Sequence, residues 1–240
     1  MESKPRIVWI TGASSGIGRA LVEAFIVHGD VVVGTARDET KLLAVKTQLG
    51  ESSQRYHCYA CDIQQAAAVE STARMILNRF EKVDVLINSA GVTYFKDFLS
   101  TTTEEFDHVV DTNLKGAFFV TRSVLPSMLE QRAGLIVNII SYAAKASYTL
   151  SSAYAASKAG VEALMNGLRA EVRDKGIKIV NVFPGAVLTP IWHPKHRERY
   201  ADRMMKPEEL AEPVYHLTCL PPSMMVEELI VRPQGGDLKV

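Results

Sequence analysis

Short apolar runs rich in β-branched residues alternate with helix-period segments from one end of this 240-residue chain to the other. That alternation constrains the fold most, because parallel strands joined by helices must bury both faces of their sheet. Strands are predicted near Ile7 to Thr11, Val31 to Thr35, Tyr56 to Cys61, Val83 to Asn88, Gly134 to Ile140, Lys178 to Phe183 and Glu228 to Val231. Between the first two, Ile17, Ala20, Leu21, Ala24 and Phe25 recur at three and four residues, the stripe of a helix facing a sheet. A long helix is predicted from about Thr103 to Arg132 and another from about Ser152 to Lys175. The expected class is α/β: seven mostly parallel strands, doubly wound, with helices on both faces.

No repeat, low-complexity linker or composition break divides the chain, so residues 1–240 are read as one domain, with 47% hydrophobic residues to fill its core. Pro184 to Pro207 breaks the pattern, and its part from about 186 to 206 is read as a lid beyond a strand end, where open α/β sheets place their ligands. Twenty-seven basic residues balance twenty-seven acidic ones, so no net field draws the chain to nucleic acid or an anionic membrane. The expected partner is a small molecule. Glu2, Lys4 and Arg6 interrupt the N-terminus, no run reaches membrane-span length, and the expected location is the cytoplasm. Of the three cysteines, Cys58 and Cys61 have a redox-like spacing, but on a strand they face opposite ways and are read as buried and inert.

Directly after the first strand stands Thr11-Gly12-Ala13-Ser14-Ser15-Gly16-Ile17-Gly18, followed by the amphipathic helix. Glycines at 12, 16 and 18 permit a sharp turn and a close backbone approach to a pyrophosphate, which the N–H groups of a helix N-terminus attract. Ser14, Ser15 and Ile17 fall in the same turn. This predicts a Rossmann-type dinucleotide site. At the end of the second strand, Thr35-Ala36-Arg37-Asp38 offers a guanidinium fork suited to a 2′-phosphate, with a hydroxyl from Thr35 beside it. NADP(H) is therefore favoured over NAD(H), and no metal is expected. The plainer alternative makes Arg37 a solvated residue at a helix start and Asp38 its N-cap.

Tyr154 and Lys158 are four apart on the predicted helix and share one face. An ammonium beside a phenol favours the phenolate and lowers its pKa from about 10 toward neutrality. Such pairs also occur by chance on surface helices, so position has to decide. Ser141 ends the fifth strand, where its hydroxyl can hold a substrate oxygen.

The Gly-x-x-x-Gly-x-Gly turn together with Tyr154-x-x-x-Lys158 resembles the short-chain dehydrogenase/reductase family, and the likeness runs over about residues 6 to 190. The resemblance implies an oxidoreductase that transfers a hydride between the nucleotide and a carbonyl or secondary alcohol, with Tyr154 as general acid/base. It implies that Asp62 contacts the adenine with Ile63 beside it. Asn88-Ser89-Ala90-Gly91 matches a cofactor motif except at Ser89, and Pro184-Gly185 with Val187 and Thr189 matches the segment at the nicotinamide end. Asp111-Thr112-Asn113-Leu114 matches the family's helix in which an asparagine positions a water linked to the lysine. Asn113 also has a bland reading, a satisfied core hydrogen bond. Substrate contacts are expected from Ser141, Ala143, Tyr148, Tyr154 and Trp192, with Ala186, Val187 and Ile191 on the same wall. His193, Lys195, His196 and Arg197 either meet an acidic tail or face water. Members commonly pair through the helices holding Asn113 and Tyr154, so a homodimer or homotetramer is expected. The segment Pro233 to Asp237 lacks the family's usual glycine-rich approach. The alternatives are an NAD(H)-dependent alcohol dehydrogenase of the same family and a non-catalytic NADP-binding sensor or scaffold.

Overall fold

The structure is a computed structural model that describes residues 5–238. Seven parallel strands form one sheet: β1 (Ile7–Thr11), β2 (Val31–Ala36), β3 (Tyr56–Ala60), β4 (Val85–Asn88), β5 (Gly134–Ile139), β6 (Ile177–Pro184) and β7 (Glu228–Val231). Their order is β3-β2-β1-β4-β5-β6-β7, so the chain reverses its direction of winding between β1 and β4. The expected α/β, doubly wound architecture is present, and each strand lies within two residues of its expected position at either end.

Every residue of β1 is buried, and alternate side chains serve different layers. Val8 and Ile10 pack beneath α1 (Gly16–Val27), α2 (Glu39–Gln48) and α8 (Pro207–Thr218). Ile7 and Trp9 pack on the other face, beneath α3 (Ala66–Phe80), α5 (Gly116–Gln131) and α6 (Ser152–Val172). A sheet covered on both faces explains why these strands read as unbroken apolar runs. Cys58 and Cys61 divide between the two layers in the same way, and both are free thiols. Cys61 is buried as expected, whereas Cys58 is only half-buried because β3 is an edge strand.

Two elements differ from expectation. The single helix expected from Thr103 to Arg132 is instead α4 (Thr103–Val110), a π-helical turn at Asp111–Lys115, and α5. Periodicity does not reveal such a turn, because one inserted residue shifts the stripe without breaking it. The lid, expected to be irregular, carries α7 (Pro194–Tyr200) and a 3₁₀ turn at Ala201–Arg203. Its two ends are pinned together where Leu188 N–H donates to Met205 and Met205 N–H donates to Ala186, at 2.8 and 3.0 Å.

Candidate active site

The reversal between β1 and β4 places two adjacent strand ends over a crevice, the position at which open α/β sheets bind ligands. Thr11 ties the two ends together: its hydroxyl accepts the N–H groups of Ser89 and Ala90 at 3.1 and 3.2 Å. Gly12 has φ +68°, and a side chain there would meet the Ala90 backbone at 2.8 Å. A Cβ on Gly18 would lie 2.3 Å from the Gly12 carbonyl oxygen. The glycine turn is therefore a cradle without side chains, as a phosphate-binding backbone requires. Ser15 caps α1 without a side-chain hydrogen bond, so its hydroxyl leaves the first-turn N–H groups to a ligand.

The crevice continues from the turn in two directions. Toward β2 it is lined by Ser14, Ser15, Ile17, Arg37, Asp62, Ile63, Ala90 and Gly91, all anticipated, and by Lys41, Gln64 and Thr112, which were not. Arg37 is exposed, and no carboxylate among the described residues pairs with it. Asp38 is the N-cap of α2, accepting the Lys41 N–H at 3.0 Å, so the capping reading of Asp38 holds alongside an available Arg37. Thr189 sits against Gly16, where a Cβ would meet its methyl at 3.1 Å, and closes the turn from the lid side.

Toward β5 and β6 the crevice becomes a pocket lined by Ser141, Ala143, Tyr148, Tyr154, Lys158, Pro184, Gly185, Val187 and Trp192, with Ala186 and Ile191 beside them. Sequence reasoning missed Phe95, Asp237 and Leu238. Phe95 stacks on Trp192 with ring centroids 5.0 Å apart and planes 15° from parallel, forming a flat aromatic wall. The Trp192 indole donates to the Val187 carbonyl at 3.0 Å and is held in that orientation. Of His193, Lys195, His196 and Arg197, only His196 lines the pocket, while His193 and Lys195 are exposed.

Tyr154 and Lys158 project from α6 toward this junction, and the Lys158 ammonium lies 5.8 Å from the Tyr154 ring centroid. Lys158 is buried and donates to the Ile139 carbonyl at 2.9 Å. Gly91 leaves room for it: a Cβ there would stand 3.3 Å from both Lys158 Nζ and Asn113 Oδ1. Burial lowers the Lys158 pKa to about 8. The expected lowering of Tyr154 by that ammonium is not found. Burial holds its phenol above the ordinary value, and the nearby Ser141 hydroxyl pulls in the opposite direction. The Ser141 hydroxyl accepts the Ala143 N–H at 3.1 Å, which leaves its proton free to donate.

Three anticipated residues play other parts. Thr35 lines the Arg37 end of the crevice, but it is 0% exposed and its hydroxyl accepts the Trp9 indole N–H at 3.0 Å, because strand alternation turns its side chain into the core. Asn88 is buried and donates to Thr121 and Asn138 at 3.0 and 2.9 Å, so its side chain braces the sheet rather than reaching the crevice. Asn113 lies on the π-helical turn, donates to the Val92 carbonyl and the Ser157 hydroxyl, both at 2.9 Å, and accepts the Val92 N–H at 2.8 Å. Both amide protons are spent, as the satisfied-core reading anticipated. Among the described residues no group of histidines, cysteines and carboxylates has an arrangement suited to a metal ion.

Fold and site together define a dinucleotide-binding α/β protein with a serine, a tyrosine and a lysine at the mouth of its crevice. The family model for short chain dehydrogenases matches residues 6–200, and the chain belongs to that family. A protein named sepiapterin reductase from Chlorobaculum tepidum is 36% identical over 97% of this chain and 98% of its own length. An uncharacterized oxidoreductase of Staphylococcus saprophyticus is 31% identical over 97% of this chain and 99% of its own. Among solved structures, an alcohol dehydrogenase from the archaeon Thermococcus sibiricus, complexed with 5-hydroxy-NADP, superposes with a TM-score of 0.89. It is 28% identical and covers 99% of this chain and 100% of its own. The closed form of a serine dehydrogenase complexed with NADP+ gives 0.90 at 27% identity, covering 98% and 97%.

Proposed function

We propose that this chain is an NADP(H)-dependent oxidoreductase interconverting a carbonyl and a secondary alcohol, with Tyr154 as general acid/base. The observation that carries this reading is the meeting of Ser141, Tyr154 and Lys158 where the glycine-cradled crevice opens into an apolar pocket. NADP complexes among the structural neighbours support the choice of nucleotide, as do Arg37 and Lys41 at one end of the crevice. When bound, the nucleotide supplies the hydride equivalent that the side chains lack.

Each residue has a part in moving one proton. The Ser141 hydroxyl donates to the substrate oxygen and fixes it beside Tyr154. The phenol, kept protonated by burial, delivers its proton to that oxygen during reduction, and the phenolate takes it back during oxidation. Lys158 would hold the ribose end of a bound nucleotide, and it adds positive charge near the phenol. Asn113 clamps Val92 and Ser157 with its two amide protons and so fixes the π-helical turn beside Lys158. The flat wall of Phe95 and Trp192 suits a planar or apolar substrate.

Purified protein screened for NADPH oxidation against ketones, aryl ketones and sepiapterin, with NADH in parallel, tests the reading. Turnover is expected, and Tyr154→Phe is expected to lower kcat by about a thousandfold while nucleotide affinity stays within about twofold. Tight NADPH binding with no turnover across the panel would favour a sensor or scaffold.

A further inference from the structure

Beyond β7 the chain folds back over the substrate pocket as a strap, Arg232 to Leu238, and Asp237 and Leu238 join the pocket lining. The strap stands on two buried feet. Pro233 rests on Gly185, where a Cβ would meet the proline ring at 2.9 Å. Leu238 inserts among Ala186, Met204 and Trp192, the cluster that joins the lid to the aromatic wall. Between the feet the arch is unsupported, since a Cβ on Gly235 or Gly236 would meet nothing within 4 Å.

What fixes the arch is one carboxylate. Asp237 Oδ2 accepts from Arg232 Nη2 at 2.7 Å, and the Asp237 carbonyl accepts from Arg203 Nη2 at 3.2 Å, while Tyr148 lines the same pocket. The Arg232 guanidinium in turn lies 4.1 Å from the centroid of the Tyr142 ring, next to Ser141. Through Arg232 and its own carbonyl, Asp237 thereby joins the strap to the loop after β5 and to the lid, both of which line the pocket.

We propose that Asp237 is a positioning residue that latches this strap through Arg232, and that the latched strap sets which carbonyl substrates the pocket admits. The proposal rests on the oxidoreductase reading above. The Arg232–Asp237 pair lies away from the glycine cradle, and the Pro233 foot on Gly185 is untouched when the pair is broken, so breaking the latch is expected to alter substrate selection with little change in nucleotide binding. An ion pair half-screened by solvent is weak alone, but here it closes a loop with loose glycines and excludes water from an apolar wall.

The test compares wild type with Asp237→Asn, Arg232→Gln and the double variant, using NADPH and a size series of aryl ketones from acetophenone to benzophenone. Either single variant is expected to raise KM for the substrate the wild type prefers by about tenfold, with kcat within about twofold. Each is also expected to narrow the discrimination against bulkier ketones, and the double variant to add little, since both single changes open one latch. Asp237→Glu restores part of the selectivity. A second readout needs no turnover: opening the strap uncovers Trp192, so its emission moves to longer wavelength while Trp9, fully buried in the core, contributes a constant background. Unchanged KM ranking together with unchanged emission overturns the proposal, and so does a variant that loses NADPH affinity or kcat alone. A wild type inactive on every ketone defeats the oxidoreductase reading instead, and the emission of the variants then decides whether the strap is latched.

Discussion

At the scale of single residues, the site pairs a phenol held protonated with an ammonium held reluctantly. Under the proposed mechanism the protonated phenol is the active form for reduction, so kcat/KM is expected to fall as pH rises through its pKa. Ser141 stabilises the phenolate. Ser141→Ala is therefore expected to move that alkaline limb to higher pH while lowering the plateau, read from a pH profile of NADPH oxidation. Lys158 carries the opposite tension. Its pKa is lowered from 10.5 to about 8 by burial, so below pH 8 the folded protein bears a desolvated charge. Between pH 8 and 10.5 the unfolded chain holds a proton that the folded one has released, and stability from this group rises with pH across that window, by about 3 kcal/mol at most. Lys158→Met should accordingly raise the Tm of the nucleotide-free protein at pH 7 and lose that advantage near pH 10, while abolishing turnover. A melting series from pH 7 to 10 checks it, and equal Tm differences at both ends would contradict it.

At the scale of elements, the proposed preference for NADP(H) rests on the junction where β2 hands over to α2. Arg37 is exposed at that junction, and Lys41 is one helical turn further along the same crevice wall. A charge-assisted hydrogen bond is worth about 1.5–3 kcal/mol, or roughly ten- to a hundredfold in affinity. Arg37→Asp should weaken NADPH by about that factor and leave NADH within about twofold, measured by fluorescence titration of both nucleotides. Retained NADPH preference would transfer the role to Lys41 or refute it. The same junction shows what a sequence can and cannot carry. Period and composition place Arg37 at the strand end because the backbone register is local information. They do not show that Thr35, two residues earlier, turns its hydroxyl to Trp9 in the core, because which face of a doubly buried strand meets the ligand depends on the whole sheet. Asn88 follows the same logic, since β4 and β5 must be in register before its amide can find Asn138. Phe95 and Asp237 were illegible for a related reason: neither belongs to a periodic element, and only closure of the lid and strap brings them to Tyr154.

At the scale of the whole molecule, the open question is how many copies act together. No helix among the described residues is long and apolar enough to cross a membrane, yet α4 and α5 expose Phe106 and Phe118 at 45% and 41%. Beside Phe106 a groove runs between Phe98 and the small residues Ser152, Ala153 and Ala156 of α6. Small side chains permit the close approach of a second helix, and large aromatics beside them supply area to bury. This face is the one on which pairing was expected, and α6 also carries Tyr154 and Lys158, one and two residues along the chain from the groove. Pairing there would brace the catalytic helix from behind. Wild type is expected to elute at twice the 26.4 kDa chain mass or more, with a Tm that rises with protein concentration. Phe106→Asp, which places a charge in the groove, should shift elution to the monomer and remove the concentration dependence of Tm. Because the nucleotide crevice opens at the strand ends and not on this face, the variant should keep NADPH affinity within about twofold while its turnover falls more steeply than wild type on heating. A monomeric wild type at micromolar concentration, or a Phe106→Asp protein that still dimerises, would place the interface elsewhere.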